Sequence, residues 1–341
     1  MIDKKPEKPV VLIVDDSVEN LQVLSFLLGD LYSIKIAKSG EKAVEISAQL
    51  PSPDLILMDV VMPGINGFEA CRLIKENPVT QKIPVIFLTA LNEVTDETMG
   101  FKIGGADFIT KPFNPEIVLA RIRTHLDLQA ERRKTETLLN ILLPEKVVSE
   151  LINNGSYKPE VHDEVSIIFC DFVGFTGITS ALSPELLIDE LSNLFSEFDE
   201  ICKRNGVMRI KTIGDAYMAV CGIEREDENH ADKAVKCGLD FIRFLHIRNG
   251  EDQLPWICRV GVHSGSVIGG IVGKTRFAYD IMGDSVNIAA RVESCGLPMR
   301  VAVTEETRKR LKQSYSMEAM GDVSLKGKGE MSLFLIDPFQ S

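Results

Sequence analysis

Two aspartates, Asp171 in "FCDFVGFT" and Asp215 in "KTIGDAYM", each lie between a short apolar run and a glycine-containing turn. If the two runs pair as neighbouring strands, their carboxylates face each other across one end of a sheet. Such a pair can hold two Mg2+ or Mn2+ ions, hard cations able to clamp the phosphates of a nucleotide and activate an attacking oxygen. The bland alternative is a pair of turn aspartates that satisfy backbone N–H groups. "YDIMGDSVNIAARVES" adds Asn287 and Arg291 at i and i+4, on one face of a helix. An amide beside a guanidinium suits a ribose and a phosphoryl transition state. Farther on, "LKGKGE" sets Lys326 and Lys328 among glycines, open to the approach of a triphosphate. "GGIVGKT" is a near miss to a phosphate-binding loop, since Ile268 stands where the first glycine is required, and it reads as turns between strands.

A second group lies nearer the N-terminus. Asp15 and Asp16 end "PVVLIVDD", Asp59 ends "DLILMD", Thr89 closes "IPVIFLTA", and Lys111 follows the run in "ADFITKPF". In open parallel sheets, active groups gather at the carboxyl ends of the strands. Three carboxylates converging there repel one another, and a hard divalent cation, Mg2+, resolves the conflict. With the mobile charge of Lys111 and the hydroxyl of Thr89, the cluster could bind a phosphoryl group carried on one aspartate.

The elements that must position these groups follow from hydrophobic pattern. Residues 8–126 alternate β-rich runs with helical patterns near 18–29, 40–49, 67–76, 94–103 and 115–126. Five βα units, with strands apolar enough to be buried on both faces, predict an α/β doubly wound parallel sheet. The last helical pattern continues to Pro144 through a stretch rich in Arg, Glu and Lys. A solvated linker helix and a short parallel coiled coil between two protomers both fit. One coiled-coil register places Gln129, Arg132 and Glu136 at core positions. From about 160, "VSIIFCDF" predicts a strand, 184–204 a helix, "VMRIKTI" and "AYMAVC" a hairpin, and 229–248 another helix. "ICRVGVHSG" predicts a strand and 284–294 a helix, with further short strands after it. Hairpins mixed with helices argue an α+β layer. The expected domains are 8–126, a helical linker over 127–159, and 160–336.

The 341 residues are 45% hydrophobic and 26% charged, enough for two cores. A formal charge of −12 opposes binding to nucleic acid or to anionic membrane surfaces. The seven cysteines form no C-x-x-C pair, the usage of buried thiols in a reducing compartment. No apolar leader and no run of about 18 apolar residues is present, so the expected location is the cytoplasm.

"VDDS", "LMDVVMPGINGFE", "LTA" and "TKPF" resemble the receiver domain of two-component response regulators, over about the first 125 residues. The resemblance implies Asp59 as phosphoacceptor for a cognate histidine kinase, with one Mg2+ held by Asp15, Asp16 and Asp59. It implies Thr89 and Lys111 as readers of the phosphoryl group, and Phe108 as the switching aromatic. A new dianion would draw in Thr89 and vacate space for Phe108. Residues 160–336 resemble the catalytic domain of class III nucleotidyl cyclases. That likeness implies a ferredoxin-like sheet, active as a head-to-tail homodimer with sites at the interface. Asp171 and Asp215 would bind two Mg2+ or Mn2+ ions, assisted by the carbonyl of Phe172. Asn287 would orient the ribose, Arg291 would stabilise the α-phosphate transition state, and Lys326, in preference to Lys328, would hold the terminal phosphates. Arg276 could also touch phosphate, but a lone basic residue before a strand reads more simply as a solvated charge.

Lys211 interrupts an apolar strand pattern, and within this resemblance it acquires a role with Asp280. Lysine only donates hydrogen bonds and ionised aspartate only accepts them. Adenine offers N1 as acceptor and its 6-amino group as donor, and the pair complements it. Guanine, with N1–H and a 2-amino group, asks for an acid where Lys211 stands. In the family the Lys/Asp pair marks adenylate cyclases. The expected activity is conversion of ATP to cyclic AMP and pyrophosphate under phosphorylation control. The alternatives are a guanylate cyclase and a catalytically silent regulator that binds only nucleotide or a partner.

Overall fold

The computed structural model describes residues 8–339 apart from 91–93, 181, 225–226, 251–253, 274–276 and 326–328. The chain divides into two units, Met1–Thr137 and Leu138–Ser341. In the first, the elements alternate: β1 Val10–Val14, α1 Val18–Leu28, β2 Ser33–Ala37, α2 Gly40–Ser47, β3 Leu55–Asp59, α3 Gly67–Glu76, β4 Val85–Ala90, α4 Val94–Lys102, β5 Asp107–Lys111 and α5 Pro115–Leu142. The strands are parallel, in the order β2-β1-β3-β4-β5, which is the doubly wound sheet expected from the pattern. Successive strand side chains point to opposite faces. Val11, Ile13, Leu55, Leu57, Ile86 and Leu88 therefore pack beneath α1 and α5, on Leu24, Leu28, Val118 and Ile122. Leu12, Val14, Ile56, Met58 and Phe87 face α2 and α3 instead. Ser17 starts α1 by accepting the N–H of Asn20, which turns the chain directly after Asp15 and Asp16.

The helix α5 outruns the sheet it covers. Arg133 pairs with Asp54 at 2.8 Å, Lys82 lies 3.3 Å from Glu136, and Gln129 donates to the Lys82 carbonyl at 3.4 Å. Gln129 and Glu136, polar residues awkward for one coiled-coil register, are thus engaged within their own unit.

The second unit adds α6 Glu145–Asn154, β6 Glu160–Phe172, α7 Phe175–Thr179, α8 Pro184–Asn205, β7 Met208–Ile213, β8 Ala216–Cys221 and α9 His230–Asn249. It continues with β9 Cys258–Val272, β10 Ala278–Met282, α10 Asp284–Cys295, β11 Val301–Thr304, α11 Glu305–Arg310, β12 Met317–Leu325 and β13 Gly329–Ile336. The sheet order is β12-β13-β11-β9-β6-β8-β7, with β10 also on β9. It is mixed, because β11 runs parallel to β9 while β6 and β8 pair antiparallel. One face buries Ile168, Cys170, Val260 and Val262 against Phe198 of α8 and Phe241 of α9. The other buries Ile167, Val220 and Ile281 with Val147 and Val148 of α6 and Ala289 of α10. One expectation is corrected here: Gly269–Val272 of "GGIVGKT" are not turns but the end of β9, paired with β10. A side chain at Gly269 would collide with the Tyr279 hydroxyl, so the glycine serves strand packing.

A buried polar chain crosses this sheet. Ser166 bonds to His230 at 2.8 Å and to Ser264 at 2.6 Å, Ser264 to Thr307 at 3.1 Å, and Thr304 to His263 at 2.9 Å. Burial pushes the His263 imidazole down to about 4, against the pull of Glu306 and Asp284. Between its ordinary value and about 4, the unfolded chain binds a proton that native His263 refuses, so stability falls with acidification. From pH 7 to pH 5 the loss from this group is about 2 kcal/mol. Calorimetry should show the second unit's transition falling more steeply in the wild type than in His263→Gln; equal slopes would contradict it.

Candidate functional site

The antiparallel register of β6 and β8 sets Cys170 opposite Tyr217, which brings the end of β6 beside the turn between β7 and β8. Gly214, with φ 64°, occupies the first central position of that two-residue turn, where a positive φ is required. The turn delivers Asp215 to Asp171. Burial first, and then the Asp171 charge, hold the Asp215 carboxyl above its ordinary value. Two half-buried carboxylates repelling each other at a sheet end are a donor set that a divalent cation fits. Phe172 is buried against Trp256, with ring centroids 4.9 Å apart, which fixes the backbone next to Asp171.

One further residue touches this acid pair and a second stands behind it, and local sequence pattern assigns a role to neither. Arg259 lies opposite Asp171 in the β6–β9 ladder, 3.3 Å from its carboxylate, and 2.9 Å from Glu293 on α10. A signal existed: Arg259 interrupts an apolar strand, as Lys211 does.

Lys211 owes its orientation to an irregularity. Arg209 pairs with Ala219 and Lys211 with Met218, so Ile210 is an extra, unpaired residue. Such a bulge re-aims the side chain that follows it. The Lys211 ammonium lies 2.5 Å from Asp280 Oδ2, while Asp280 Oδ1 accepts the N–H of Ile281 at 2.9 Å. The carboxylate is thereby held by its own strand, and the lysine keeps further donors available.

On α10, Ser285, Ala289, Val292 and Glu293 form the buried stripe. Asn287 is exposed and Arg291 half-buried, both away from that stripe. The structure therefore joins Asp171 with Asp215, and Lys211 with Asp280, and sets Asn287 and Arg291 on the outward side of a third element. Lys326, Lys328 and Arg276 lie outside the described residues.

In the first unit, Asp15, Asp16 and Asp59 offer carboxylate oxygens all within 4.8 Å of one another, a set that fits one divalent cation. Lys111 lies 2.8 Å from Asp15 and 2.9 Å from Asp59. Burial lifts the Asp59 carboxyl, with Lys111 pulling it back and Asp15 adding to the rise. Burial opposes the Lys111 charge, but the two carboxylates outweigh it and raise that amine. Thr89 is the penultimate residue of β4, half-buried. Phe108 is 7% exposed, packed 5.3 Å from Phe87 and 5.0 Å from Phe101. Gly100 leaves the space its ring fills.

Residues 157–338 match the adenylate and guanylate cyclase catalytic domain. The chain belongs to that family. Residues 11–123 match the response regulator receiver domain, so a receiver domain precedes the cyclase domain. Guanylate cyclase 2G of Mus musculus is 38% identical over 226 residues, covering 64% of this chain and 20% of that protein. The chain thus spans about a fifth of the length of the curated relatives it matches. The cyclase domain also resembles the catalytic core of a rhodopsin-guanylyl cyclase with converted specificity, solved in complex with ATPαS. The identity is 32% and the TM-score 0.51, covering 53% of this chain and 98% of that one. The adenylyl cyclase CyaB from P. aeruginosa is 25% identical with a TM-score of 0.50, over 53% of this chain and 96% of its own. Both nucleotide classes are represented among the cyclase domain's neighbours.

Proposed function

We propose that this chain is an adenylate cyclase, converting ATP to 3′,5′-cyclic AMP and pyrophosphate under the control of Asp59 phosphorylation. The observation that carries the substrate assignment is the Lys211–Asp280 pair. It presents a donor and an acceptor side by side, the complement of adenine N1 and its 6-amino group. A second reading, guanylate cyclase, draws on the names of curated relatives such as guanylate cyclase 2G. It would have to explain an ammonium where guanine presents N1–H.

Asp171, Asp215 and the carbonyl of Phe172 would hold two Mg2+ or Mn2+ ions, whose chemistry is to screen the triphosphate and acidify the ribose 3′-hydroxyl. Arg291 would offset charge developing on the α-phosphate, and Asn287 would hold the ribose so that its 3′-oxygen lies in line with the leaving pyrophosphate. Lys326 would bind the terminal phosphates. Since Asn287 and Arg291 lie on the outward side of α10, a second copy set head to tail would bring them to the acids of its partner. A homodimer then carries two equivalent sites.

Control fits the receiver domain, with limits at 8–126, a linker over 127–159 and the cyclase domain over 160–336. Phosphorylation of Asp59 by a histidine kinase, with one Mg2+ on Asp15, Asp16 and Asp59, would replace a carboxylate by a dianion. Lys111 and Thr89 would turn to the new oxygens, and Phe108 would move into the space left by Thr89. Among the described residues no helix is long and apolar enough to cross a membrane, which supports a cytoplasmic enzyme. Acetyl phosphate should change the rate of cyclic AMP formation in the wild type and leave Asp59→Ala unaffected. A donor response that persists in Asp59→Ala would remove receiver control, and absence of any cyclic product from ATP would remove the proposed chemistry.

A further inference from the structure

We propose that Glu293 is a positioning residue for the metal-binding carboxylate of Asp171, acting through Arg259 by holding that guanidinium and offsetting its charge. The inference rests on the two-metal reading above.

The three groups form a carboxylate–guanidinium–carboxylate chain across two strands and a helix. Asp171 and Arg259 are direct partners in the β6–β9 ladder, and cross-strand partners project from the same face. The Arg259 Nη2 lies 3.3 Å from Asp171 Oδ2, whereas its Nε lies 2.9 Å from Glu293 Oε1. The closer contact is to the carboxylate that is not at the sheet end. Glu293 is itself held: its Oε2 accepts from the Ser294 hydroxyl at 3.2 Å, and the residue is 6% exposed.

Gly261 explains how a helix side chain reaches Arg259. It lies two residues along β9, on the same face. A Cβ there would overlap the backbone N and Cα of Glu293, so only glycine lets α10 sit this close to the strand.

Charge decides what the chain does. Arginine cannot shed its proton, so a guanidinium beside Asp171 competes with any cation for the same oxygens. A second carboxylate, buried and bonded to the Nε of the same guanidinium, takes the shorter bond and neutralises that competitor. Asp171 is then oriented by a longer contact and keeps its charge for the metal. The helix that supplies Glu293 also carries Asn287 and Arg291, so the seating of α10 and the orientation of the metal carboxylate are linked.

The test compares Glu293→Gln, which keeps shape and loses charge, with Glu293→Asp, which keeps charge. Free Mn2+ is followed by electron paramagnetic resonance during titration of the full chain with Mn2+ and 3′-deoxy-ATP, which cannot cyclise. Glu293→Gln should bind Mn2+ about tenfold more weakly. The KM for ATP at saturating Mn2+ should move less than that, and Glu293→Asp should recover most of the affinity. Wild-type Mn2+ binding in Glu293→Gln would overturn the proposal, as would an equal loss in both variants. If Glu293→Gln fails to fold, Glu293→Asp decides alone: retained affinity supports the proposal and lost affinity overturns it. Asp171→Ala runs alongside. If that variant binds Mn2+ like the wild type, the two-metal reading fails, a result separate from failure at Glu293.

Discussion

Asp171→Ala and Asp215→Ala should each lower cyclic AMP formation by about a thousandfold or more, the equivalent of about 4 kcal/mol in the barrier. The expectation rests on the hairpin that places Asp215 beside Asp171, and on the burial, reinforced by the Asp171 charge, that lifts the Asp215 carboxyl. Stability separates this effect from misfolding. In the absence of divalent metal, Asp215→Ala relieves a half-buried charge from a like neighbour, so it should melt no lower than the wild type. Rates with Mn2+ and melting curves with a chelator provide both readouts. Activity within tenfold of wild type in either variant would contradict a site built on these acids.

Changing the proposed base readers should redirect the enzyme rather than silence it. Lys211 and Asp280 are ion-paired at 2.5 Å, so Lys211→Glu alone would set two acids face to face. Combined with Asp280→Ser, the site would present an acceptor for guanine N1–H and a hydroxyl donor for O6. Hydrogen bonds to charged groups contribute about 1.5–3 kcal/mol each, so the ratio of kcat/KM for ATP to that for GTP should fall on the order of a hundredfold. Lys211→Glu without the second change should instead lose activity toward both nucleotides, through repulsion at Asp280. An unchanged ratio in the double variant would place base reading elsewhere.

The receiver cluster was legible because its logic is local. Each acid, Thr89 and Lys111 falls at or beside a strand end, and strand ends can be read from apolar runs. The β7–β8 hairpin was legible for the same reason, and with it the meeting of Asp171 and Asp215. Lys211 announced itself as a charge in an apolar run, though the bulge at Ile210 that aims it did not. What stayed hidden depends on long-range register. Arg259 meets Asp171 across 88 residues of sequence, and no local pattern specifies that pairing. Gly269 looks like a turn residue, so local pattern takes the end of β9 for a turn, whereas its lack of a side chain serves close packing. Gly261 falls inside a run that reads as strand, and nothing local shows that it makes room for α10. The contact of Arg133 with Asp54 joins α5 to the start of β3, again a matter of tertiary placement.

The most direct test gives the purified full chain ATP and GTP side by side with Mn2+, following cyclic nucleotide and pyrophosphate in each reaction. The expected result is cyclic AMP and pyrophosphate in equal amounts, with kcat/KM for ATP well above that for GTP. Preferred turnover of GTP would contradict base reading by Lys211 and Asp280, and no cyclic product from either nucleotide would contradict the enzyme itself.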